Sequence, residues 1–529
     1  MNDQDFEWKF PYPSRRMPVM AENVVSTSQP LASQAGLKML RKGGNAVDAA
    51  LAAAIALTVV EPTSNGIGSD AFCLLWDGKK LIGLNASGRS PAAWTPEHFS
   101  QYEEMPVLGW DATTIPGAVS AWVMLWRKYG QLEFQELFEP AIKYAERGFL
   151  VSPIIAMSWR FLTRQYKEFP EWVQTFTVDG HAPSPGTRVK FPDHAKTLQL
   201  IAKTKGRSLY KGQLADKIVE HADSTGGVIT HDDLRSHEAN WVDPIQMEYE
   251  GVVLHEIPPN GQGIAALMML GILKNLELDE HPVDSIDSIH LQLEAMKLAF
   301  RDTHRYVSDP GFWEFDPTLL LDPGYLRKRS GLISYKQAGD YQHGRPKKGG
   351  TVYLTTADAD GMMVSYIQSN FWAFGSGIVI PGTGIAMQNR GNGFTLESGH
   401  PNRVGPRKRP YHTIIPAFVT RNGQPLMSFG VMGGHMQPQG HAQMMVRIFK
   451  YGQNPQATID APRWQVTEGL GVKVENSFSR KIMKALRKRG HEVKRSHYID
   501  FGGAQINNKW NKGYFAASES RKDGQAVGY

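Results

Sequence analysis

Two consecutive glycines followed by a threonine at the start of a strand constrain this chain more than any other feature. Gly349 and Gly350 end a polar, basic stretch, and Thr351 opens the strand-like residues 351–357. Glycine reaches backbone conformations that are closed to other residues, so the Thr351 hydroxyl can be brought against the preceding carbonyl. We therefore predict a cleavage site between Gly350 and Thr351, with Thr351 as the nucleophile.

Cleavage there would leave Thr351 with a free α-amine. Such an amine titrates at roughly 7.7 to 8.0 and can accept the proton of its own hydroxyl, so nucleophile and base would belong to one residue. Alternation places Thr351, Tyr353 and Thr355 on one face of the strand, and Asp360-Gly361 is expected to close a hairpin.

Six short motifs accompany this junction along the chain. They are Gly43-Gly44-Asn45-Ala46-Val47-Asp48-Ala49-Ala50, Glu61-Pro62-Thr63-Ser64-Asn65-Gly66-Ile67-Gly68, Pro116-Gly117-Ala118, Phe374-Gly375-Ser376-Gly377, Lys408-Arg409-Pro410 and Gly433-Gly434. In these motifs and their order the chain resembles the γ-glutamyltransferase family of N-terminal-nucleophile hydrolases, from about residue 20 to its end. The resemblance implies an autoprocessing amidohydrolase or acyltransferase that cleaves γ-glutamyl or similar acyl groups from amides such as glutathione.

The pattern of helices and strands by itself supports an α+β fold. Helices are expected at residues 32–41, 45–60, 284–300 and 480–489, and strands at 363–367, 414–420 and 426–431. Residues 334–348 have the composition of an exposed linker. The resemblance implies more, namely an αββα sandwich built from a large fragment, 1–350, and a small fragment, 351–529.

The resemblance also assigns catalytic roles. Gly433 and Gly434 match the family's oxyanion-hole glycines, whose N–H groups can approach a developing charge because no side chain intervenes. Ser369 stands where the family usually has a threonine that supports the nucleophile through its hydroxyl. With Thr351, these residues are the predicted catalytic set.

The residues that would hold the acyl group depart from the family pattern. His412 and Thr413 occupy its two serine positions, Arg390 occupies an amide position, and Arg89 lies two residues beyond the usual arginine. We predict that these four residues bind the substrate. Because a guanidinium matches a carboxylate in bidentate geometry, Arg390 with His412 favours an anionic acyl group that lacks an α-amine.

Three further departures bear on the same pocket. Asn392 and Gly393 leave no carboxylate at the positions that would pair with a substrate ammonium, and Phe371 replaces an asparagine that orients the substrate. The segment 394–408 is shorter than in members with a lid loop. An open cleft that admits bulky leaving groups is therefore expected.

Three functions remain open at this point. The first is hydrolysis of γ-glutamyl amides in the manner of the lidless, glutathione-hydrolase-like branch. The second keeps the chemistry and changes the acyl group, as in an oxamate amidohydrolase or a glutaryl (cephalosporin) acylase. The third is an unprocessed relative that binds ligands without catalysis. The expected partners are a small-molecule amide and the two fragments of one precursor.

Composition excludes several other classes. A charge of +6 spread over 529 residues, with 52 acidic residues interspersed, does not indicate nucleic-acid binding. Cys73 is the only cysteine, so no thiol metal site or disulfide is available. His435 and His441 lack an obvious third ligand, and no metal or cofactor is expected. The apolar stretch 49–60 is too short to span a membrane, and the acidic residues near Met1 favour a cytoplasmic location.

Overall fold

The secondary structure alternates between helical and strand segments along the whole chain. The computed structural model describes residues 11–13, 16–313, 315–341 and 350–529. The strands are β1 Val19–Ala21, β2 Val24–Thr27, β3 Asp70–Trp76, β4 Leu81–Ala86, β5 Phe149–Leu150, β6 Arg188–Val189, β7 Asn240–Val242, β8 Ile245–Tyr249, β9 Val252–Glu256, β10 Gly350–Ala357, β11 Met363–Phe371, β12 Val379–Ile380, β13 Ile385–Ala386, β14 Ala417–Arg421, β15 Gln424–Val431, β16 Trp464–Val466, β17 Gly471–Glu475, β18 Glu492–Ser496, β19 Ala504–Trp510, β20 Gly513–Ser518 and β21 Gln525–Gly528. The α-helices are α1 Pro30–Arg41, α2 Ala46–Val60, α3 Ala118–Tyr129, α4 Phe134–Arg147, α5 Pro153–Leu162, α6 Pro170–Phe176, α7 Pro192–Thr204, α8 Arg207–Lys211, α9 Gln213–Thr225, α10 His231–Arg235, α11 Gly263–Leu273, α12 Ile286–Tyr306, α13 Pro323–Ser330, α14 Met436–Met445, α15 Pro455–Asp460 and α16 Arg480–Lys488.

Two seven-stranded antiparallel sheets form the centre of the fold. Sheet 1 has the strand order β21-β2-β10-β11-β3-β4-β7, and sheet 2 has the order β1-β20-β19-β15-β14-β9-β8. Each sheet takes strands from both sides of residue 350. The two predicted fragments therefore interleave in both sheets rather than forming separate domains.

The main apolar core lies between the facing sheets and beneath the outer helices. Tyr353, Ile367 and Phe72 of sheet 1 pack in one buried cluster with Phe418 and Tyr514 of sheet 2. Helices α2, α3 and α4 cover the other face of sheet 1, and α11, α12 and α14 cover the other face of sheet 2. This is the αββα sandwich that the resemblance implied.

The motif at residues 43–50 marks the start of the buried helix α2. Gly43 has φ +86°, a left-handed conformation that suits glycine after α1. Asn45 caps α2 by accepting the Val47 and Asp48 N–H groups, and the Asp48 carboxylate accepts the Asn45 N–H at 3.0 Å. All fifteen residues of α2 are buried, so it is a core helix, as its length and composition predicted.

The strand that begins with the predicted nucleophile pairs as the sequence indicated. In β10 and β11, Tyr353 lies opposite Ile367, and a bulge interrupts the register between Gly350 and Val352. Gly361 has φ +92° in the turn that closes this hairpin. Sequence patterning missed β7, β8 and β9, because residues 240–256 lie in a region where helices dominate.

The linker prediction can be compared with the structure over part of its length. Residues 335–337 are exposed, but the Gly339 N–H and the Tyr341 hydroxyl both donate to the Glu294 carboxylate of α12. Residues 342–349 lie outside the described part of the chain.

Cys73 is buried and unpaired in β3. Among the described residues, we find no helix with the length and hydrophobicity needed to traverse a bilayer.

Candidate active site

Thr351 lies near the start of β10 with its hydroxyl enclosed by polar side chains. Its side chain is 2% exposed. The Thr351 Oγ1 donates to Ser369 Oγ at 3.3 Å and accepts from Gln437 Nε2 at 3.4 Å. These contacts bring together the predicted nucleophile and its predicted supporting hydroxyl. Gln437 was not predicted.

Ser369 is held in place by the strand that carries it. It lies on β11 opposite Asp70 of β3, in the middle of sheet 1. Its Oγ accepts the Phe371 N–H at 2.7 Å, which fixes the hydroxyl next to Thr351. A hydroxyl in this position can relay or orient a proton of the nucleophile.

Gly433 and Gly434 form the turn between β15 and α14. Their φ values are +114° and +61°, which are disfavoured for residues with a side chain. Gln262 Nε2 donates to the Gly434 carbonyl at 2.9 Å, and the Gln437 N–H donates to the same carbonyl at 3.1 Å. Within the described part of the chain, neither glycine N–H donates to a protein acceptor.

The turn therefore presents N–H groups of the kind that the predicted oxyanion role requires. Two N–H groups without a protein acceptor precede the N-terminus of the ten-residue helix α14, whose dipole adds partial positive charge. Gln437 connects this turn to the nucleophile, since its backbone bonds Gly434 while its side chain bonds Thr351.

Arg390 lies in a short 3₁₀ turn beside these groups. It is 1% exposed, and its Nη1 donates to Thr413 Oγ1 at 2.7 Å. Its guanidinium carbon lies 4.7 Å from the centre of the Phe371 ring. Burial lowers the pKa of Arg390 to about 9, while the nearby Asp70 carboxylate acts in the opposite direction. The predicted residues Arg390 and Thr413 are thus brought together.

His412 contacts protein groups with both ring nitrogens. Its Nε2 lies 3.1 Å from Asp70 Oδ2, and its Nδ1 accepts the Ile414 N–H at 3.4 Å. Burial, with the charges of Arg390 and Arg409, lowers the pKa of His412 well below its usual value. A neutral ring that donates from Nε2 to Asp70 satisfies these contacts, so His412 supports Asp70 rather than presenting a donor to the substrate.

Asp70 is a site residue that the sequence reasoning missed. Its Oδ1 accepts the Gly88 and Gly117 N–H groups, each at 3.1 Å. Burial raises the pKa of Asp70 to about 7, against the lowering effect of Arg390. The expectation about a missing carboxylate concerned residues 390–393. Asp70 adds a carboxylate from β3, and both of its oxygens accept hydrogen bonds within the protein.

The structure does not bring Arg89 into this group. Its Nη1 pairs with Asp309 Oδ2 at 2.8 Å and also donates to the Arg407 carbonyl at 3.1 Å. The side chain is 41% exposed and lines a separate, smaller cavity of about 310 Å³. Ser87, at the usual arginine position, donates its hydroxyl to Asn85 Oδ1 at 2.7 Å and contributes no guanidinium to the site.

A large open cleft lies next to the site. Its volume is about 1,100 Å³, and its wall includes Phe371, Thr413 and His435. Another wall is formed by Asn392 and Gly393 together with Phe394, Thr395, Leu396 and Glu397, the last four of which belong to the segment 394–408. A cavity of this size accommodates a small-molecule amide with a bulky leaving group.

One cluster elsewhere has ligand-like geometry for a metal ion. The ligand atoms of His290, Glu294 and His491 lie within 4.8 Å of one another. However, Lys297 Nζ donates to Glu294 Oε1 at 2.8 Å and lies 3.4 Å from His491 Nδ1. Because a buried ammonium already neutralises the carboxylate, this cluster is an ion-paired packing contact, and we assign no metal to it.

Comparison with known proteins agrees with this arrangement. The Gamma-glutamyltranspeptidase family model matches residues 32–529, so the chain belongs to that family and is one of its hydrolases. The glutathione hydrolase-like YwrD proenzyme of Bacillus subtilis is 36% identical over 96% of this chain and 100% of the relative. The oxamate amidohydrolase proenzyme of Klebsiella pneumoniae is 33% identical over 94% of this chain and 97% of the relative.

A solved structure is similar over the whole fold. The crystal structure of cephalosporin acylase from Bacillus halodurans is 47% identical, with a TM-score of 0.93 over 99% of both chains. The two curated relatives above are proenzymes, that is, precursors that are processed to a mature form.

Proposed function

We propose that this chain cleaves itself between Gly350 and Thr351 and then hydrolyses amides through the new N-terminal threonine. The observation that carries the proposal is the placement of Thr351 Oγ1 between Ser369 and Gln437, beside a turn with two available N–H groups. These are the elements that acyl transfer to a hydroxyl requires.

The cleavage step is an acyl shift followed by hydrolysis. The Thr351 Oγ attacks the Gly350 carbonyl carbon, the peptide C–N bond breaks, and the hydroxyl proton passes to the released nitrogen. Water then hydrolyses the resulting ester. Gly350 leaves as a carboxylate, and Thr351 keeps its hydroxyl and gains a free α-amine.

The mature reaction uses the same atoms again. The α-amine accepts the Thr351 hydroxyl proton, Oγ attacks the substrate carbonyl, and the oxyanion is stabilised by the N–H groups of Gly433 and Gly434. The amine leaving group departs with a proton, and water hydrolyses the acyl ester. An amine acceptor in place of water would give transfer instead.

The fragments 1–350 and 351–529 should remain associated after the cut. In sheet 1, strands of the two fragments are interspersed around β10 and β11. In sheet 2, the small-fragment strands β20, β19, β15 and β14 lie between β1 and β9 of the large fragment. Separating them would break both sheets and expose the core between them.

The single buried cysteine suits the cytoplasmic location that forms part of this proposal.

Two classes of acyl group are candidates. Glutathione and other γ-glutamyl amides are suggested by relatives named glutathione hydrolase. Other acyl groups are suggested by the relatives named oxamate amidohydrolase and cephalosporin acylase, and the buried guanidinium of Arg390 favours an anionic one.

The proposal is tested by following purified protein with intact mass measurement and an amide hydrolysis assay. Wild type should convert to two fragments with the smaller beginning at Thr351, and only cleaved protein should be active. A stable, single-chain wild type without hydrolase activity would instead favour a binding protein and contradict the proposal.

A further inference from the structure

The side chain of Gln262 bridges two loops of the site. Gln262 directly precedes α11 and is fully buried. Its Nε2 donates to the Thr413 carbonyl at 2.5 Å and to the Gly434 carbonyl at 2.9 Å. Both hydrogens of one amide group are therefore used, each by a backbone carbonyl of a different loop. A bridge of this kind fixes the separation of the two loops.

The orientation of the Gln262 amide follows from its partners. Backbone carbonyls only accept hydrogen bonds, so the nitrogen end of the amide must face Thr413 and Gly434. The oxygen end accepts the Tyr411 hydroxyl at 3.2 Å, and the backbone N–H of Gln262 donates to the His412 carbonyl at 3.0 Å. Gln262 thus bonds three consecutive residues of the 411–413 segment, together with the glycine turn.

The glycine turn is otherwise bonded to the helix that follows it. The Gly433 carbonyl accepts the Met436 N–H at 3.1 Å, and the Gly434 carbonyl accepts the Gln437 N–H at 3.1 Å. Both donors belong to α14, so these bonds do not fix the turn relative to the 411–413 segment. Because glycine has a wide choice of backbone conformations, such a turn needs support from outside to stay in one of them. Gln262 provides that support.

We infer that Gln262 is a positioning residue for the proposed reaction, holding the glycine turn so that the N–H groups of Gly433 and Gly434 face the developing oxyanion. This inference rests on the proposed function, because it concerns the oxyanion that forms when Thr351 attacks an amide. Oxyanion donors stabilise a transition state through being held in place beforehand, and a displacement of about 1 Å can cost about a hundredfold in rate. Gln262 acts through the turn and does not itself contact the reacting atoms.

Gln443 has the same hydrogen-bond pattern away from the turn and is a matched control. It lies in α14 and is 2% exposed. Its Nε2 donates to the carbonyls of Gln439 and Trp464, each at 3.1 Å, and its Oε1 accepts the Trp464 N–H at 3.4 Å. Replacing Gln443 therefore also removes the donor to two buried carbonyls, but neither carbonyl belongs to the glycine turn or to the 411–413 segment.

The experiment compares wild type with Gln262→Met, Gln443→Met and Tyr411→Phe. Methionine is flexible and of similar length to glutamine but has no N–H to donate, and Tyr411→Phe removes the hydroxyl bonded to the oxygen end of the Gln262 amide. Each protein is checked by mass for cleavage and by its melting temperature. Two p-nitroanilides are used as substrates. Glutaryl anilide has a terminal carboxylate and valeryl anilide has none, but both form the same oxyanion.

Gln262→Met should lower kcat by about tenfold to a hundredfold, and by the same factor for both anilides, because the oxyanion is common to them. KM should change little, since the His412 N–H still donates to the Asn260 carbonyl and holds the 411–413 segment. Tyr411→Phe should lower kcat for both anilides by about twofold to tenfold, the range for one hydrogen bond. Gln443→Met should lose as much thermal stability as Gln262→Met and keep the wild-type kcat.

Three results would overturn the inference while leaving the proposed function intact. They are an unchanged kcat in processed Gln262→Met, equal kcat losses in Gln262→Met and Gln443→Met, and a loss confined to the glutaryl anilide, which would place Gln262 in acyl recognition. If Gln262→Met does not fold or is not cleaved, Tyr411→Phe decides: an equal loss for both anilides supports the inference, and an unchanged kcat overturns it. A wild type that is not cleaved and does not hydrolyse amides would instead remove the proposed function itself.

Discussion

The side-chain Nε2 of Gln437 donates to Thr351 Oγ1 at 3.4 Å, while the side-chain Oε1 of the same residue accepts the Ile415 N–H at 2.9 Å. The second bond fixes which end of the amide faces Thr351, because a backbone N–H can only meet the oxygen. Gln437 is fully buried in the first turn of α14. It therefore positions the nucleophile relative to the glycine turn that precedes the same helix.

Replacing Gln437 should impair turnover more than substrate binding. Gln437→Leu removes the donor to Thr351, and a single hydrogen bond is worth about 0.5 to 1.5 kcal/mol, so kcat should fall by roughly twofold to tenfold with little change in KM. Steady-state kinetics on the processed variant measures both parameters.

Gln439 provides a matched control on the same helix. It is equally buried, but its amide bonds the backbone of His435 and Val466 and not Thr351. Gln439→Leu should lower the melting temperature and leave kcat of the folded enzyme unchanged. Equal kcat losses in the two variants would show that Gln437 acts only through helix packing.

The oxyanion role of the glycine turn predicts a larger loss. Gly434→Val places a β-branched residue at φ +61° and displaces an N–H donor, so kcat should fall about a hundredfold or more, since one such donor is worth roughly 2.7 to 4 kcal/mol. Kinetics on processed protein tests this.

Gly452 provides a control position that distinguishes the effect of backbone strain from the loss of a catalytic N–H donor. Its φ is +65°, and a Cβ there would meet no atom within 4 Å. Gly452→Val should therefore be destabilised to a similar degree while keeping wild-type kcat. If Gly434→Val retained full turnover after folding and processing, the two glycines would form a turn without a catalytic role.

The sequence predicted the parts of the fold that depend on local signals. Helix α2 follows from its apolar run, and the β10–β11 hairpin follows from alternation and the Asp360-Gly361 turn. The contact of Thr351 with Ser369 follows from the family resemblance. Strands β7–β9 were missed because they lie in a region where helices dominate, although β8 and β9 are neighbours in sequence and pair with each other.

The unpredicted site residues also depend on long-range contacts. Asp70 meets His412 across 342 residues of sequence, and Gln437 meets Thr351 across 86. No short pattern encodes such pairs. One available signal was a carboxylate at the start of the otherwise apolar strand β3, since a buried acid requires several partners. Arg89 was misplaced because its guanidinium pairs with Asp309 across 220 residues of sequence, a contact that no short pattern encodes.

Asp70 should make substrate choice depend on pH. Its pKa is raised from 3.8 to about 7 by burial, and the charged groups acting on it are Arg390 and Arg409, with His412 bonded to one oxygen. As pH rises through about 7, ionisation of Asp70 places a negative charge near Arg390 and weakens the electrostatic attraction of that guanidinium for a substrate carboxylate. The ratio of kcat/KM for glutaryl to that for valeryl anilide should therefore fall, and Asp70→Asn should flatten it.

Using this ratio cancels the titration of the Thr351 α-amine, which affects both substrates.

The raised pKa of Asp70 also affects the stability of the folded protein, and the sign of this effect is definite. Because the folded pKa exceeds the unfolded value, the contribution of Asp70 to the free energy of unfolding is complete below about pH 4 and is lost as pH rises through 7. A ratio that is independent of pH in wild type would mean that the charge of Asp70 does not affect a substrate carboxylate near Arg390.

The central claim is that Thr351 is the residue that cuts the chain and then carries the acyl group. N-terminal sequencing and intact mass of purified wild type and Thr351→Ala test it most directly. The account predicts a wild-type small fragment that begins Thr-Val-Tyr-Leu, and an intact, inactive Thr351→Ala chain. A small fragment with any other N-terminus, or cleavage of Thr351→Ala at the same bond, would contradict it.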